Sequence, residues 1–149
     1  MKRVPVLVGA LALISLYGWL LEHERSAPSA VQSGSVSVLP ISYMSAASAL
    51  ALDDFVKAKE ALLLLAKESS GDLKTKAQAG ADAADIATMR ESFKALTEEV
   101  VVDMSYPDDY AVAYCPMYKD GSKWIQKREA PIANPYFGKS RPTCGSFVD

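Results

Sequence analysis

An alanine-rich stretch is the feature that most constrains the fold of this 149-residue chain. Residues 41–105 contain 14 Ala but only three aromatic residues, which are Tyr43, Phe55 and Phe93. Alanine has the lowest free-energy cost of any residue in a helix, and straight or small side chains lose little freedom there. A stretch of this composition therefore favours packed helices over a sheet.

Apolar residues recur at helical spacing in the first half of this stretch. Proline is tolerated at a helix start, so a helix is predicted directly after Pro40. Asp53 and Asp54 form a predicted N-cap pair for a second helix, which begins at Phe55. Gly71 is predicted to stop this second helix, since glycine is common just beyond helix ends.

Two further helices are predicted before residue 105. The first is short, covers Asp72–Ala79 and ends at Gly80. Asp85 caps the second, which Pro107 ends and whose apolar positions repeat every three or four residues: Ile86, Met89, Phe93, Leu96 and Val100. The fold class is accordingly mainly α, a small antiparallel helical bundle in which Met89 and Phe93 belong to the core.

The N-terminal segment is predicted to direct export. Lys2 and Arg3 precede Val4–Leu21, which contains no charged residue. Such a run is typical of a cleaved signal peptide or of an uncleaved signal anchor in the membrane, with a buried core helix as a third alternative. We expect residues 1–25 to be the signal segment and residues 26–40 a Ser/Ala-rich linker, which puts the remainder outside the cytoplasm.

The last 39 residues differ in character from the bundle. Residues 111–149 hold both cysteines and have six basic against three acidic residues, whereas residues 106–149 hold eight of the 13 aromatic residues. The Asp120-Gly121 dipeptide predicts a hairpin with Tyr114–Met117 on one arm and Trp124 on the other. The rest is predicted to be an irregular, aromatic-rich wrap that packs on the bundle, so that residues 41–149 form one domain.

The sulfur atoms of this segment are its candidate functional groups. Cys115 and Met117 lie two residues apart, and Cys144 can approach them if the tail folds back. Thiolate and thioether sulfurs prefer soft ions such as Cu(I) over Mg²⁺ or Ca²⁺. Two cysteines in an exported domain also suit a disulfide, and closing this loop would stabilise the fold by about 3–4 kcal/mol. The spacing leaves a metal site, a disulfide and two independent thiols open.

Other function classes are disfavoured by the composition. The one histidine, His23, precedes the predicted domain, so a metal site there would have to use sulfur ligands. The sequence contains no recognisable nucleophile–base pair, phosphate-binding loop or C-x-x-C motif, and we therefore expect no enzyme activity. A formal net charge of −2 argues against a polybasic nucleic-acid-binding protein.

A series of short motifs resembles a known bacterial family. The series is Tyr114–Met117 (Y-C-P-M), Asn134–Gly138 (N-P-Y-F-G) and Thr143–Gly145 (T-C-G), with Asp53-Asp54 and Arg90 in the helical part. It is similar to the exported family called domain of unknown function 3347, and the resemblance covers roughly residues 40–147. Members of that family occur alone or fused to adaptor subunits of CusB-type copper and silver efflux systems.

The resemblance implies an exported accessory domain in copper or heavy-metal handling, periplasmic and either soluble or tethered to the inner membrane. It would bind or pass Cu(I) or another soft ion through the sulfurs of Cys115, Met117 and Cys144. An apolar shell around the ion would be formed by Tyr114, Trp124, Tyr136 and Phe137. Arg141 stands where the family often has a methionine, and the domain lacks the family's common histidine.

The rival hypothesis keeps the same fold without a metal. In it, Cys115 and Cys144 form a disulfide, and the domain docks on an efflux adaptor or another envelope protein. If the N-terminal segment is not cleaved, the membrane is a further partner.

Overall fold

The computed structural model describes residues 37–148, so the predictions made for residues 1–36, including the signal segment and His23, lie outside it. In chain order the elements are β1 (Ser37–Val38), α1 (Ile41–Ala51), α2 (Phe55–Glu68), α3 (Gly71–Ala81), α4 (Ile86–Asp103), β2 (Met104–Ser105), β3 (Tyr110–Cys115), β4 (Ser122–Lys127), a 3-10 turn (Gly138–Ser140) and β5 (Ser146–Val148). The predicted mainly helical class, with a strand-containing C-terminal region, is confirmed.

The helix starts follow local capping chemistry. Asp54 Oδ1 accepts a hydrogen bond from the Lys57 amide at 3.1 Å, and Asp85 Oδ1 accepts one from the Thr88 amide at 2.8 Å. The prediction for Gly71 was wrong: α2 already ends at Glu68, and Gly71, with a φ of 60°, begins α3. Glycine suits this position because its backbone adopts a positive φ without steric cost.

Consecutive helices pack against each other, and their shared core is apolar. Leu62 and Leu65 of α2 and Met89, Phe93 and Leu96 of α4 are fully buried. The interpretation of Met89 and Phe93 as core residues is therefore confirmed. Within residues 37–148, no helix combines the length and the apolar character needed to cross a bilayer.

A short parallel pairing joins the start of the described chain to the end of α4. Val38 of β1 lies opposite Ser105 of β2, and the Leu39 amide donates to the Ser105 carbonyl oxygen at 2.9 Å. Residues 37–39 thus belong to the folded domain, although the sequence places them in the predicted linker of residues 26–40. The last helix ends at Asp103 and not at Pro107, because this strand pairing begins at Met104.

The C-terminal region forms an antiparallel sheet with strand order β4-β3-β5. Its β3–β4 hairpin contains the predicted Asp120-Gly121 turn, and Cys115 lies opposite Ser122 at its closed end. Pro116 and Met117 lie in the connection between the strands, so the prediction that the first arm extends to Met117 was wrong. The third strand, β5, pairs with β3.

Aromatic side chains attach this sheet to the helices. Tyr43 of α1 stacks on Phe93 with ring centroids 5.2 Å apart, Phe93 contacts Tyr136 at 6.0 Å, and Tyr136 stacks on Tyr118 at 4.9 Å. The Ile125 amide of β4 donates to Tyr43 Oη at 3.3 Å. The predicted packing of the aromatic-rich segment on the bundle is confirmed by this continuous set of contacts.

Candidate functional site: the paired thiols

The two cysteines come together at one end of the three-stranded sheet. Cys115 is the last residue of β3 and is fully buried, while Cys144 lies two residues before β5 and is half-buried. Their Sγ atoms are 2.7 Å apart, although 29 positions separate them in the sequence. The structure therefore brings together two of the three predicted sulfur ligands.

The position of Cys144 is set by the segment on either side of it. Asn134 Nδ2 donates to the Cys144 carbonyl oxygen at 2.6 Å, and the Asn134 amide donates to the Pro142 carbonyl oxygen at 2.8 Å. Gly145 has a φ of 130°, and a Cβ atom there would lie 2.7 Å from the Trp124 ring. Only glycine lets the chain pass this close to Trp124 and enter β5 immediately afterwards.

Proximity to Cys115 affects the pKa of the half-buried Cys144 thiol. The pKa of Cys144 is raised above its ordinary value, chiefly by its hydrogen bond with Cys115 and also by burial. The guanidinium group of Arg141 opposes this rise in pKa. At neutral pH the reduced Cys144 is consequently protonated, which limits its reactivity as a thiolate.

Met117, the third predicted ligand, has a different environment. Its side chain is 59% exposed, and its Sδ atom accepts a hydrogen bond from Arg141 Nη1 at 3.4 Å. Arg141 also lies over the Phe137 ring, 5.5 Å from its centroid. A fixed positive charge beside the thioether disfavours a metal cation at that sulfur.

The arrangement of the two thiols does not fit a bound ion as it stands. Two sulfurs on one ion at bonds of about 2.3 Å in tetrahedral geometry lie about 3.8 Å apart, which exceeds the 2.7 Å between Cys115 and Cys144. Among the described residues, no three His, Cys, Asp or Glu side chains are grouped so that they could hold a metal ion. Binding of an ion would thus require the two sulfurs to separate.

The four predicted shell aromatics do not share one role. Trp124 is fully buried beside Gly145, next to Cys144, and its indole Nε1 donates to Gln126 Oε1 at 2.9 Å. Tyr136 is buried in the aromatic contacts described above. Tyr114 is half-buried over the glycine of the hairpin turn, and Phe137 contacts Tyr118 edge-on at 5.5 Å. Their observed contacts are those of packing between the sheet and the bundle.

An ion pair between the largely buried Arg90 and the exposed Asp53 helps to fasten the C-terminal segment to the helices. Arg90 of α4 donates to the Pro135 carbonyl oxygen at 2.9 Å and to the Leu50 carbonyl oxygen at 2.8 Å, and it also pairs with Asp53. The contact with Arg90 lowers the pKa of the Asp53 carboxyl. Asp53 does not cap α2 as predicted, because its left-handed backbone (φ 57°) turns its side chain to Arg90 and to the Lys139 amide.

Two buried amide side chains organise the same segment, and the sequence interpretation gave neither of them this role. Asn134 Oδ1 accepts from the amides of Tyr136 and Phe137 at 2.8 and 3.0 Å. Gln126 accepts from the Ala133 amide at 3.0 Å and donates to nearby carbonyl oxygens. Within residues 37–148, every buried side-chain nitrogen or oxygen has a hydrogen-bond partner. The only indication of these roles in the sequence was that Asn134 belongs to the N-P-Y-F-G motif.

Together these features define a mainly helical domain whose C-terminal sheet carries two adjoining thiols. Comparison with protein-family models, with curated proteins and with solved structures found no match to this chain.

Proposed function

We propose that this chain is an exported accessory module that a Cys115–Cys144 disulfide holds in one shape, and that it acts by binding another envelope protein. The observation that carries the proposal is the 2.7 Å separation of the two Sγ atoms, from which a covalent bond needs less than 1 Å of movement. Exported compartments are oxidising, and adjoining thiols form disulfides there.

The bond would fasten the part of the domain with the least regular structure. It closes a loop from the end of β3 to the residue before Gly145, which includes β4 and the irregular segment of residues 128–144. In the chain-entropy model a loop of this length contributes about 3–4 kcal/mol to the free energy of unfolding. The disulfide would thus stabilise the same segment that Arg90 and Asn134 hold by hydrogen bonds.

Binding of a partner is supported by exposed apolar side chains just after α1 and on α2. Leu52, Val56 and Leu64 are 62%, 64% and 48% exposed. Leu52 and Leu64 line a groove of about 400 Å³ between these helices, together with Ala49 and Ala61 and with the polar residues Ser45, Ser48, Asp54, Lys57 and Glu60. A groove with this mixture of apolar and charged residues suits an amphipathic segment of an efflux adaptor or another envelope protein.

The state of the cysteines is tested by counting thiols in the exported full-length protein. Cells are lysed into a thiol-blocking reagent, and free thiols are then counted in denaturant before and after reduction. We expect no blocked cysteine, two free thiols after reduction, and, before reduction, one linked peptide pair containing Cys115 and Cys144. Two blocked thiols in the freshly isolated protein would overturn the disulfide proposal.

Partner binding is tested by cross-linking in the intact cell. A photoreactive residue is placed at Leu64 in the groove and, as the matched control, at Val102, which is 80% exposed near the end of α4. We expect a discrete adduct with one envelope protein from Leu64, reduced by Leu52→Glu, and none from Val102. Equal adducts from both positions would contradict docking through this groove.

A second candidate function is binding of a soft ion such as Cu(I), as the family resemblance implies. Its specific support is that Met117 is exposed and Cys144 is half-buried, so that both sulfurs are accessible from solvent. In this alternative the reduced Cys115 and Cys144 sulfurs move apart and bind the ion with Met117. Cu(I) is a suitable ion because thiolate and thioether ligands prefer it.

The two functions are separated by titrating the fully reduced protein with Cu(I) against a competing chelator. Retained tight binding that Cys115→Ser and Met117→Leu each remove would support the metal site. Absence of binding that competes with the chelator would refute it and leave the disulfide proposal standing.

A further inference from the structure

We propose that Cys144 is the sulfur at which external thiols and disulfides react, and that opening the Cys115–Cys144 bond releases β5 from the sheet. The proposal rests on the disulfide put forward above and adds its chemical order and its structural consequence. The substrate class is a low-molecular-weight thiol or disulfide of the glutathione type.

The order of reaction follows from unequal burial of the two sulfurs. Cys115 is 0% exposed and belongs to the apolar core, whereas Cys144 is only half-buried. Thiol–disulfide exchange needs a thiolate to reach one sulfur of the bond, so access decides which sulfur is attacked. An external thiolate can reach Cys144, and Cys115 is then the leaving group.

Reduction of the Cys115–Cys144 bond takes two exchange steps. The external thiolate attacks Cys144 Sγ and forms a mixed disulfide, while the Cys144–Cys115 bond breaks and its electron pair leaves on Cys115, which takes a proton from water. A second external thiolate attacks the external sulfur of the mixed disulfide and releases Cys144 as a thiolate, which is then protonated. The protein has gained two electrons and two protons, and two external thiols have become one disulfide. Oxidation by glutathione disulfide follows the same steps in reverse.

The structural consequence follows from how few contacts hold β5. The strand has three residues, and its pairs with β3 are Val112 with Val148, Ala113 with Phe147 and Tyr114 with Ser146. Cys144 is two residues ahead of it, where its carbonyl oxygen accepts from Asn134 Nδ2 at 2.6 Å and its amide donates to the Arg141 carbonyl oxygen at 3.2 Å. Short edge strands open with a small free energy, so a covalent link this close controls how often β5 separates.

The first experiment measures the order of reaction. The full-length variants Cys115→Ser and Cys144→Ser, each with one thiol, are incubated with glutathione disulfide, and the mixed disulfide is followed by mass spectrometry. We expect Cys115→Ser, which keeps the accessible sulfur, to react at least ten times faster than Cys144→Ser. In denaturant the two rates must become equal, which controls for intrinsic reactivity. Equal rates in the folded proteins would overturn the proposal.

The second experiment measures the release of β5 by hydrogen exchange. The wild-type protein is oxidised fully with glutathione disulfide in one sample and reduced in the other. We expect the amides within residues 146–148 that are hydrogen-bonded to β3 to exchange at least ten times faster after reduction, with those of α2 (Phe55–Glu68) unchanged. Unchanged exchange in residues 146–148 would overturn the release of β5.

Failure of the proposed function and failure of the present proposal give different experimental results. If the protein isolated from cells has two free thiols, the disulfide is not its resident state, and the proposed function fails. The rates of the single-thiol variants and the exchange of β5 in protein oxidised outside the cell still decide the present proposal.

Discussion

Asn134→Ala tests whether one buried amide holds the thiol-bearing segment in place. The Asn134 side chain is fully buried and accepts hydrogen bonds from the amides of Tyr136 and Phe137 at 2.8 and 3.0 Å. It also donates to the Cys144 carbonyl oxygen at 2.6 Å. The substitution therefore removes the partners of three backbone groups at once.

The expected loss in the free energy of unfolding depends on which of these three backbone groups water can reach. Tyr136 is 2% exposed, so its amide loses its partner without gaining one from solvent. A buried group left without a partner costs about 1–3 kcal/mol. Phe137 and Cys144 are half-buried and are partly hydrated after the substitution. We expect the free energy of unfolding to fall by about 2–4 kcal/mol.

The assay is urea denaturation of the full-length protein with the cysteines held in one redox state. With a slope of about 2 kcal/mol per molar urea, this loss lowers the denaturation midpoint by about 1–2 M. Gln78→Ala is the matched control, because the Gln78 amide donates only to the exposed Asp82 carboxylate. A loss of less than about 0.5 kcal/mol for Asn134→Ala, similar to that of a surface substitution, would refute the reasoning.

Asn134→Asp separates the accepting from the donating role. The introduced carboxylate still accepts from two amides, but it faces the Cys144 carbonyl oxygen without a proton to donate. The Cys144 carbonyl oxygen then loses its side-chain partner while the amides of Tyr136 and Phe137 keep theirs. We expect the free energy of unfolding to fall by about 1–3 kcal/mol in the same urea assay, less than for Asn134→Ala. A loss as large as that of Asn134→Ala would contradict a separate accepting role.

Three further predictions concern the attachment of the sheet to the bundle. Tyr43→Phe removes the acceptor of the Ile125 amide and should lower the free energy of unfolding by about 1–3 kcal/mol in urea denaturation. Burial raises the pKa of Tyr43 to about 12. The unfolded chain releases this proton near pH 10 and the folded protein does not, so stability should fall between pH 10 and 12, and less so in Tyr43→Phe. Gly138→Ala, whose Cβ would collide with the Asp53 carboxylate at a φ of 53°, should lower the melting temperature more than Gly71→Ala, whose Cβ at a φ of 60° meets open space. Equal losses from the two glycine variants would exclude the close contact as the cause.

The helices could be predicted because their signals are local. Alanine content, apolar spacing and the caps Asp54 and Asp85 all act within one or two turns, and the four helices match them. The predictions were wrong where neighbouring residues compete for a role. Asp53 forms a long-range pair with Arg90 and leaves the cap to Asp54, and Gly71 opens a helix instead of ending one.

The shortest strands could not be predicted, because their sequences contain too little local information. β1 and β2 have two residues each, and β5 has three, so none is long enough to show an alternating pattern. Their pairing depends on residues far away in the sequence. The same holds for the site, since neither the 2.7 Å approach of Cys115 to Cys144 nor the Arg141 contact of Met117 follows from spacing.

The N-P-Y-F-G motif stabilises this fold through contacts that do not depend on a metal. Asn134 binds two amides and the Cys144 carbonyl oxygen, the Pro135 carbonyl oxygen accepts from Arg90, and Tyr136 lies in the aromatic core. Substitutions in this motif should disturb any function through loss of the fold. The choice between a disulfide and a soft ion consequently depends on the sulfurs alone, and only variants of Cys115, Met117 and Cys144 that keep the fold can decide it.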